Sequence, residues 1–259
     1  MMSSGRRPRG RRGPAFPPGT KAIFETIGAV LCCLALAPGS AAREGDRFAA
    51  ERRVMVETQV AARGIRDPAV LEALRKVPRH LFVPAELQAE AYGDYPLPIG
   101  EGQTISQPYI VAFMTASLGL KRGDKVLEVG TGSGYQAAVL SLLAGPVYSV
   151  EINDRLARRA AETLRKLGYA NVRVRSSDGF FGWAEAAPFD AVVVTCAVDA
   201  FPPRLFEQLA EGGRLILPLG DSRTFQTLTL VTKKSGRPVV RPLIDVRFVP
   251  MTGEALKKR

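Results

Sequence analysis

The sequence predicts an α/β protein: a mostly parallel sheet with helices on both faces, preceded by a helical N-terminal subdomain. Three observations carry this. From Lys125 onward, short valine-rich runs alternate with helical segments, and repeated βα units close into a parallel sheet covered on both sides. Between the first run and the helix after it lies a glycine-rich turn with Gly130, Gly132 and Gly134, at the sheet edge where ligands bind in such folds. The 259 residues, 46% hydrophobic and 24% charged, suit one substantial domain and exclude a disordered chain, a collagen or a disulfide scaffold.

Each element has a local reason. Residues 46–62 read as a helix with Val54, Val56 and Val60 among charges. Asp67 and Pro68 open a second helix as N-cap and first helical residue; it runs through Lys76 and is stopped by Pro78. Pro84 opens a short helix, residues 93–98 read as loop, and Gln107-Pro108 introduces a helix over 109–118 with Ile110, Val111, Met114 and Leu118 on one face. Strands are expected at 125–129, 147–150, 172–175, 189–195 and 214–217, with helices at 136–143, 154–167 and 203–209. Residues 225–232 and 239–249 form a closing antiparallel pair around a turn at 233–236. The expected divisions are a leader over 1–42, the helical subdomain over 43–120 and the sheet domain over 121–259.

The leader is a distinct kind of sequence. Arg6, Arg7, Arg9, Arg11, Arg12 and Lys21 face only Glu25 there, so it holds +5 of the net +11. A 12-residue apolar run, 26–37, follows the basic stretch, and Gly39, Ser40, Ala41 and Ala42 follow that run. This order matches a secretory signal, and the run is short for a membrane span. The alternative is an unused extension, with Met55 as an internal candidate start. The body carries only +6 and no basic run interleaved with aromatics, so nucleic acid is not an expected partner, nor is a membrane span expected in the body. One cysteine, Cys196, remains after the leader, which excludes an intramolecular disulfide in the body. A single histidine, His80, excludes a metal site built on two or more histidines, and no metal is expected.

The glycine turn alone is a weak signal, because the dinucleotide fingerprint needs a different spacing. Its acidic partners sharpen it. Glu151 ends the second strand, 21 residues past Gly130, where a carboxylate accepts both ribose hydroxyls. Asp178 follows the third strand and is placed to accept from an adenine amine. Glycine loop, ribose acid and adenine-edge acid after three successive strands resemble the class I S-adenosyl-L-methionine (SAM) methyltransferase fold, a Rossmann-like sheet. Singly, each residue has a plainer reading as a turn glycine or a helix cap.

The fold specifies the methyl donor and leaves the acceptor open. The segment from Leu97 to Pro108, with Thr104, Ile105, Ser106, Gln107 and Pro108 at its end, resembles the signature of protein-L-isoaspartate (D-aspartate) O-methyltransferases. So do Val77–Pro84, Glu128–Tyr135, Ser177–Gly179, Pro188–Ala191, Glu211–Gly220 and Val246–Pro250, in order, over roughly residues 50–252. The resemblance implies a monomeric, cytoplasmic protein-repair enzyme that methylates the free α-carboxylate of L-isoaspartyl residues in damaged proteins. The ester then closes to a succinimide, which hydrolyses partly to aspartate. It places Ser106 as the catalytic residue. It places Thr104, Ile105, Glu128, Gly130, Thr131 and Gly132 at the cofactor, with Ser133, Gly134, Glu151, Ile152, Asp178 and Gly179.

The chemistry agrees with these residue types. A carboxylate of pKa about 4 is already ionised at neutral pH and needs no general base. Catalysis is then alignment and exclusion of water, and a hydroxyl orients an anion without neutralising it. The plainer reading of Ser106 is an N-cap for the helix near Pro108. Some family members carry a C-terminal Thr and a later Gln near the cofactor; here Thr252 has no Gln after it, which leaves a C-terminal lid open. Cys196 reads as a buried thiol, with a place in the pocket as the alternative. Two rivals remain. The first is a nucleic-acid methyltransferase: amino-methylating enzymes of that kind usually place an Asn/Asp-Pro-Pro-aromatic loop after strand four and cytosine-C5 enzymes need a Pro-Cys nucleophile, whereas the chain has Thr195-Cys196-Ala197 there and no Pro-Cys pair. A SAM-fold binding protein, or an enzyme for another acceptor, is the second. Donor supply favours the cytoplasm, and the leader, if used, favours export to the periplasm.

Overall fold

The computed structural model describes residues 48–257; the leader expected over 1–42 lies outside them. Helix α1 spans 48–63, with a π-helical stretch Met55–Val60 and a 3-10 turn Ala61–Arg63, and buries Met55, Val56 and Val60. Helix α2 is Pro68–Lys76. Asp67 Oδ1 accepts from the amides of Ala69 (2.9 Å) and Val70 (3.3 Å), a cap that stabilises the helix by about 1 kcal/mol. A 3-10 turn, Ala85–Glu90, follows Pro84.

Residues 97–98 are not loop. Strands β1 (Leu97–Gly100) and β2 (Gln103–Ile105) form an antiparallel hairpin, with Leu97 and Ile99 buried and Pro98 and Gly100 exposed. Pro98 and Gly100 argue against a strand by propensity; the docked apolar pair overrides them. The segment ahead of the sheet is therefore not purely helical. Helix α3 (Pro108–Leu118) follows and buries Val111, Met114 and Leu118.

The main sheet has the order β5-β4-β3-β6-β7-β8-β9. Its strands are β3 (Val126–Val129), β4 (Val147–Glu151), β5 (Val172–Ser176), β6 (Phe189–Val194), β7 (Leu209–Leu219), β8 (Gln226–Lys234) and β9 (Arg237–Val246). Strands β3 to β7 pair in parallel, and β8 is antiparallel to both β7 and β9. β7 extends well beyond the expected 214–217. The chain builds outward from β3 through β4 to β5, then returns to lay β6 on the other side of β3. That reversal makes the C-terminal edge of β3 a switch point, where a crevice opens. β3 is buried throughout, as a central parallel strand must be.

Helices α4 (Tyr135–Ser141), α5 (Asp154–Lys166), α6 (Pro203–Glu207) and α7 (Glu254–Lys257) complete the fold. α5 buries Leu156, Ala157, Ala160 and Leu164 and turns its charges outward. One apolar cluster joins Phe48, Leu74, Ile99 and Val111 to Tyr135, Val139, Leu156 and Leu164. The residues expected as an N-terminal subdomain thus share their core with α4 and α5. Among the described residues no helix is long and apolar enough to cross a membrane.

Candidate active site

The glycine turn sits where β3 delivers it. The amides of Gly130 and Thr131 donate to Val150 O (2.8 and 3.3 Å), which pins the turn against β4. Gly130 has φ +98°, and a Cβ there would lie 2.4 Å from Thr195 Oγ1. That hydroxyl donates to Gly130 O (2.6 Å), so the β6 end and the turn are joined at a point where only glycine fits.

Glu151 closes the arrangement. Its Oε2 accepts from the Gly132 amide (2.8 Å) and its Oε1 from the Asn153 amide (2.9 Å). Two backbone donors fix the carboxylate, and each oxygen keeps a lone pair for a diol. Asn153 also caps α5, its Oδ1 accepting from Arg155 N (3.0 Å) and Leu156 N (3.1 Å).

Glu128 lies underneath rather than in the cleft. It is fully buried, and the Ser149 hydroxyl bonds to its Oε2. Thr131 Oγ1 meets Ser149 Oγ at 2.5 Å. Burial pushes the Glu128 carboxyl up to about 8, so it is mostly protonated at pH 7; the Ser149 bond opposes this rise and nearby Glu151 adds to it.

Ten of the thirteen sequence-predicted residues line one cleft of about 380 Å³: Thr104, Ile105 and Ser106 from the hairpin, Gly130 to Ser133, then Glu151, Ile152 and Gly179. Glu128, Gly134 and Asp178 do not. Gly134 faces α5: a Cβ there would meet Leu164 Cδ1 at 3.1 Å, so its role is helix packing. Asp178 caps a 3-10 turn through Phe180 N (2.9 Å), and its Oδ2 accepts from Glu254 N (2.7 Å). The C-terminal segment therefore crosses over it. Met251 N donates to Ala197 O and Ala197 N to Val249 O (both 2.8 Å), which seats this strap on the β6 end. Met251 and Thr252 line the cleft, so the C-terminal segment reaches the site without the missing glutamine. Cys196 lines it too; burial, aided by the charges of Glu151 and Asp178, pushes its thiol up to about 12, which leaves it an unreactive wall.

Glu101, Asn153, Thr195 and Met251 were not read from the sequence as site residues. Asn153 had a visible signal as the polar residue just before an amphipathic helix. The others are brought in by tertiary packing.

Ser106 is not the cap of α3. The N-cap is Gln107, whose side chain donates to Asp94 O (3.0 Å). Among the described residues nothing bonds to Ser106 Oγ. Ser106, Thr104, Thr195, Val249 and Pro250 face both the cleft and a second, open groove of about 730 Å³. That groove carries Arg63, whose guanidinium lies 3.5 Å from the Tyr109 ring centroid, together with Asp245, Arg247 and the exposed Phe225.

A crevice at the β3 switch point, a carboxylate fixed beside it by two backbone amides and a glycine turn with no phosphate-binding lysine fit a class I SAM-dependent methyltransferase. Residues 50–256 match the family model described as Protein-L-isoaspartate(D-aspartate) O-methyltransferase (PCMT). The chain belongs to this family. It is 57% identical over 204 residues to the protein-L-isoaspartate O-methyltransferase of Opitutus terrae, covering 79% of this chain and 88% of that one. It is 54% identical to protein-L-isoaspartate O-methyltransferase 2 of Shewanella sediminis, over 83% of this chain and 88% of that one. A solved protein-L-isoaspartate O-methyltransferase superposes with TM-score 0.72 at 32% identity, covering 78% of this chain and 67% of that one. The PCMT from Plasmodium falciparum, in complex with S-adenosyl-L-homocysteine (SAH), gives TM-score 0.69 at 27% identity, over 78% of this chain and 98% of that one.

Proposed function

We propose that the cleft and the adjoining groove work as donor and acceptor sites of one SAM-dependent protein-L-isoaspartate O-methyltransferase. The enzyme methylates the free α-carboxylate of isoaspartyl residues in damaged proteins. The observation that carries the division is the shared wall: Thr104, Ser106 and Thr195 face both cavities, so a group entering from the groove meets one in the cleft there.

The cleft suits SAM. Glu151 presents oriented lone pairs to the ribose hydroxyls, and the glycine turn leaves its backbone bare for close approach. When bound, SAM supplies a methyl group on a cationic sulfonium. The protein's part is alignment. Ser106 Oγ, without a partner among the described residues, donates to one acceptor carboxylate oxygen and leaves the other for attack. The strap and hairpin exclude water, and no residue has to remove a proton, since the acceptor is already an anion. The groove, at about 730 Å³ against about 380 Å³ for the cleft, has room for an extended polypeptide of varied sequence. Among the described residues no three His, Cys, Asp or Glu side chains cluster as a metal site, and the reaction calls for none.

We place the enzyme in the cytoplasm as a monomer, where SAM is made; fusing residues 1–42 to a reporter that acts only after export tests this, with export overturning it. The activity is tested by methyl transfer from labelled SAM to two peptides, one with L-isoaspartate and one with aspartate. Base-labile methyl ester on the isoaspartyl peptide alone is expected. SAH binding without transfer to either would overturn the reading.

A further inference from the structure

The turn joining β1 to β2 runs against its own backbone preference. Gly100, Glu101 and Gly102 have φ of +85°, +54° and +69°. A two-residue hairpin loop with both residues left-handed is the setting for Asn, Asp or Gly; glutamate gains nothing from it locally. What the glutamate does is reach the cofactor side of the molecule. Its Oε2 accepts from Asn153 Nδ2 at 3.3 Å, its Oε1 faces Arg155 Nη1 at 3.4 Å, and the residue lines the cleft. Asn153 is the residue whose amide holds Glu151 Oε1 and whose Oδ1 caps α5. Nearby, Arg159 Nη2 donates to Ile99 O, and Ile99 Cδ1 lies 3.4 Å from where a Cβ on Gly132 would stand. The hairpin is thus seated on the glycine turn, and its second strand leads directly into Thr104 and Ser106.

We propose that Glu101 is a positioning residue. It ties the hairpin that carries Ser106 to the carboxylate that holds the donor, through Asn153. The chain of contacts is Glu151, Asn153, Glu101, β2, Ser106, so donor site and acceptor hydroxyl share one reference point. The proposal rests on the donor and acceptor reading above. Exposed pairs such as Glu101 with Arg155 contribute little to stability, so the value of the contact is geometric. Backbone strain at a site rim, held by surrounding contacts, is the pattern of stored alignment.

Glu101→Gly in the full chain separates alignment from folding, because glycine accepts the left-handed backbone and removes only the tie. The melting temperature is expected to stay level or rise. The dissociation constant for SAH, by calorimetry, is expected to rise about threefold. The kcat/KM for an isoaspartyl peptide is expected to fall roughly tenfold, mostly in kcat, as for a small misplacement of a reacting group. Glu101→Gln keeps an acceptor for Asn153 Nδ2 and is expected to recover most of both losses. Wild-type SAH affinity and kcat/KM in Glu101→Gly would overturn the proposal, and so would a fall in melting temperature that accounts for both losses. If the wild-type chain transfers no methyl to the isoaspartyl peptide, the acceptor reading fails, and the SAH comparison still decides whether Glu101 orders the donor site.

Discussion

The two walls of the reaction site are built by different means. The donor wall, from Val129 to Ser133 and Glu151, is the end of a buried parallel sheet. Its geometry is set by backbone hydrogen bonds and by positions where only glycine fits. The acceptor wall is a three-residue strand, a strained turn and the strap after Val249. The strand and the turn are held by a few side-chain contacts: Glu101 with Asn153, Arg159 with Ile99 O, and Gln107 with Asp94 O; the strap is held by backbone bonds to Ala197 and by the Asp178 carboxylate. Side chains that contact a donor common to many methyltransferases can rest on rigid backbone. The part that reads the acceptor is placed by contacts that single substitutions can retune.

The largest effect is expected under the donor wall. The folded protein keeps Glu128 protonated up to about pH 8, whereas the unfolded chain releases that proton near 4.5. Between these values the folded state holds the extra proton, so stability falls as pH rises, by roughly 5 kcal/mol across the window. Glu128→Gln removes that slope. Chemical denaturation at pH 5 and pH 8.5 measures it; equal slopes in wild type and variant would contradict a buried neutral acid. Next comes Gly130→Ala, which puts a Cβ 2.4 Å from Thr195 Oγ1 at φ +98°. A loss of about 2–4 kcal/mol is expected, read by thermal melting, with SAH binding lost alongside.

The acceptor wall is expected to respond in turnover instead. Ser106→Ala removes a hydroxyl that bonds to no described residue, so stability should barely change. The kcat for the isoaspartyl peptide is expected to fall about 100-fold, the loss typical of a well-placed hydrogen-bond donor to the reacting group, with SAH affinity within about twofold of wild type. Undiminished kcat would remove Ser106 from its assigned place and leave Thr104 as the hydroxyl at the shared wall, since the Thr195 hydroxyl donates to Gly130 O.

The same contrast governs what the sequence made legible. Strands β3, β4 and β6, the cap at Asp67 and the helix α5 follow from periodicity, capping chemistry and valine runs, because these elements are stabilised by burial that the sequence writes locally. The position of Glu151 in the cleft was legible because its place at a strand end fixes its direction. Glu128 and Gly134 lie in the same motif as the cleft residues, and a motif does not say which face a side chain takes. Glu128 points into the core and Gly134 toward Leu164. The β1–β2 hairpin was hidden by Pro98 and Gly100, although Leu97 and Ile99 alternate and a left-handed Gly102 closes the turn. The strap was hidden because the strap's own backbone amides and carbonyls make its bonds, to the Ala197 backbone and to the Asp178 carboxylate, and no pattern in the strap's side chains announces them.

Asp178 tests the border between the walls and gives the smallest expected effect. In sequence it reads as an acid for the adenine amine; in the structure its oxygens accept from Phe180 N and Glu254 N, and a Cβ on Gly253 would lie 2.4 Å from Oδ2. Asp178→Asn preserves size but replaces one acceptor with an NH2 group, which then faces a backbone N–H and cannot bond to it. Either the 3-10 cap or the strap loses its bond, at a cost of about 1 kcal/mol. If the strap is the element released, SAH affinity falls three- to tenfold and carboxypeptidase shortens the C-terminus faster than in wild type. Unchanged digestion with weakened SAH binding would mean the carboxylate meets the donor itself, as the sequence reading has it. Unchanged values of both would show that the strap is held from Ala197 alone.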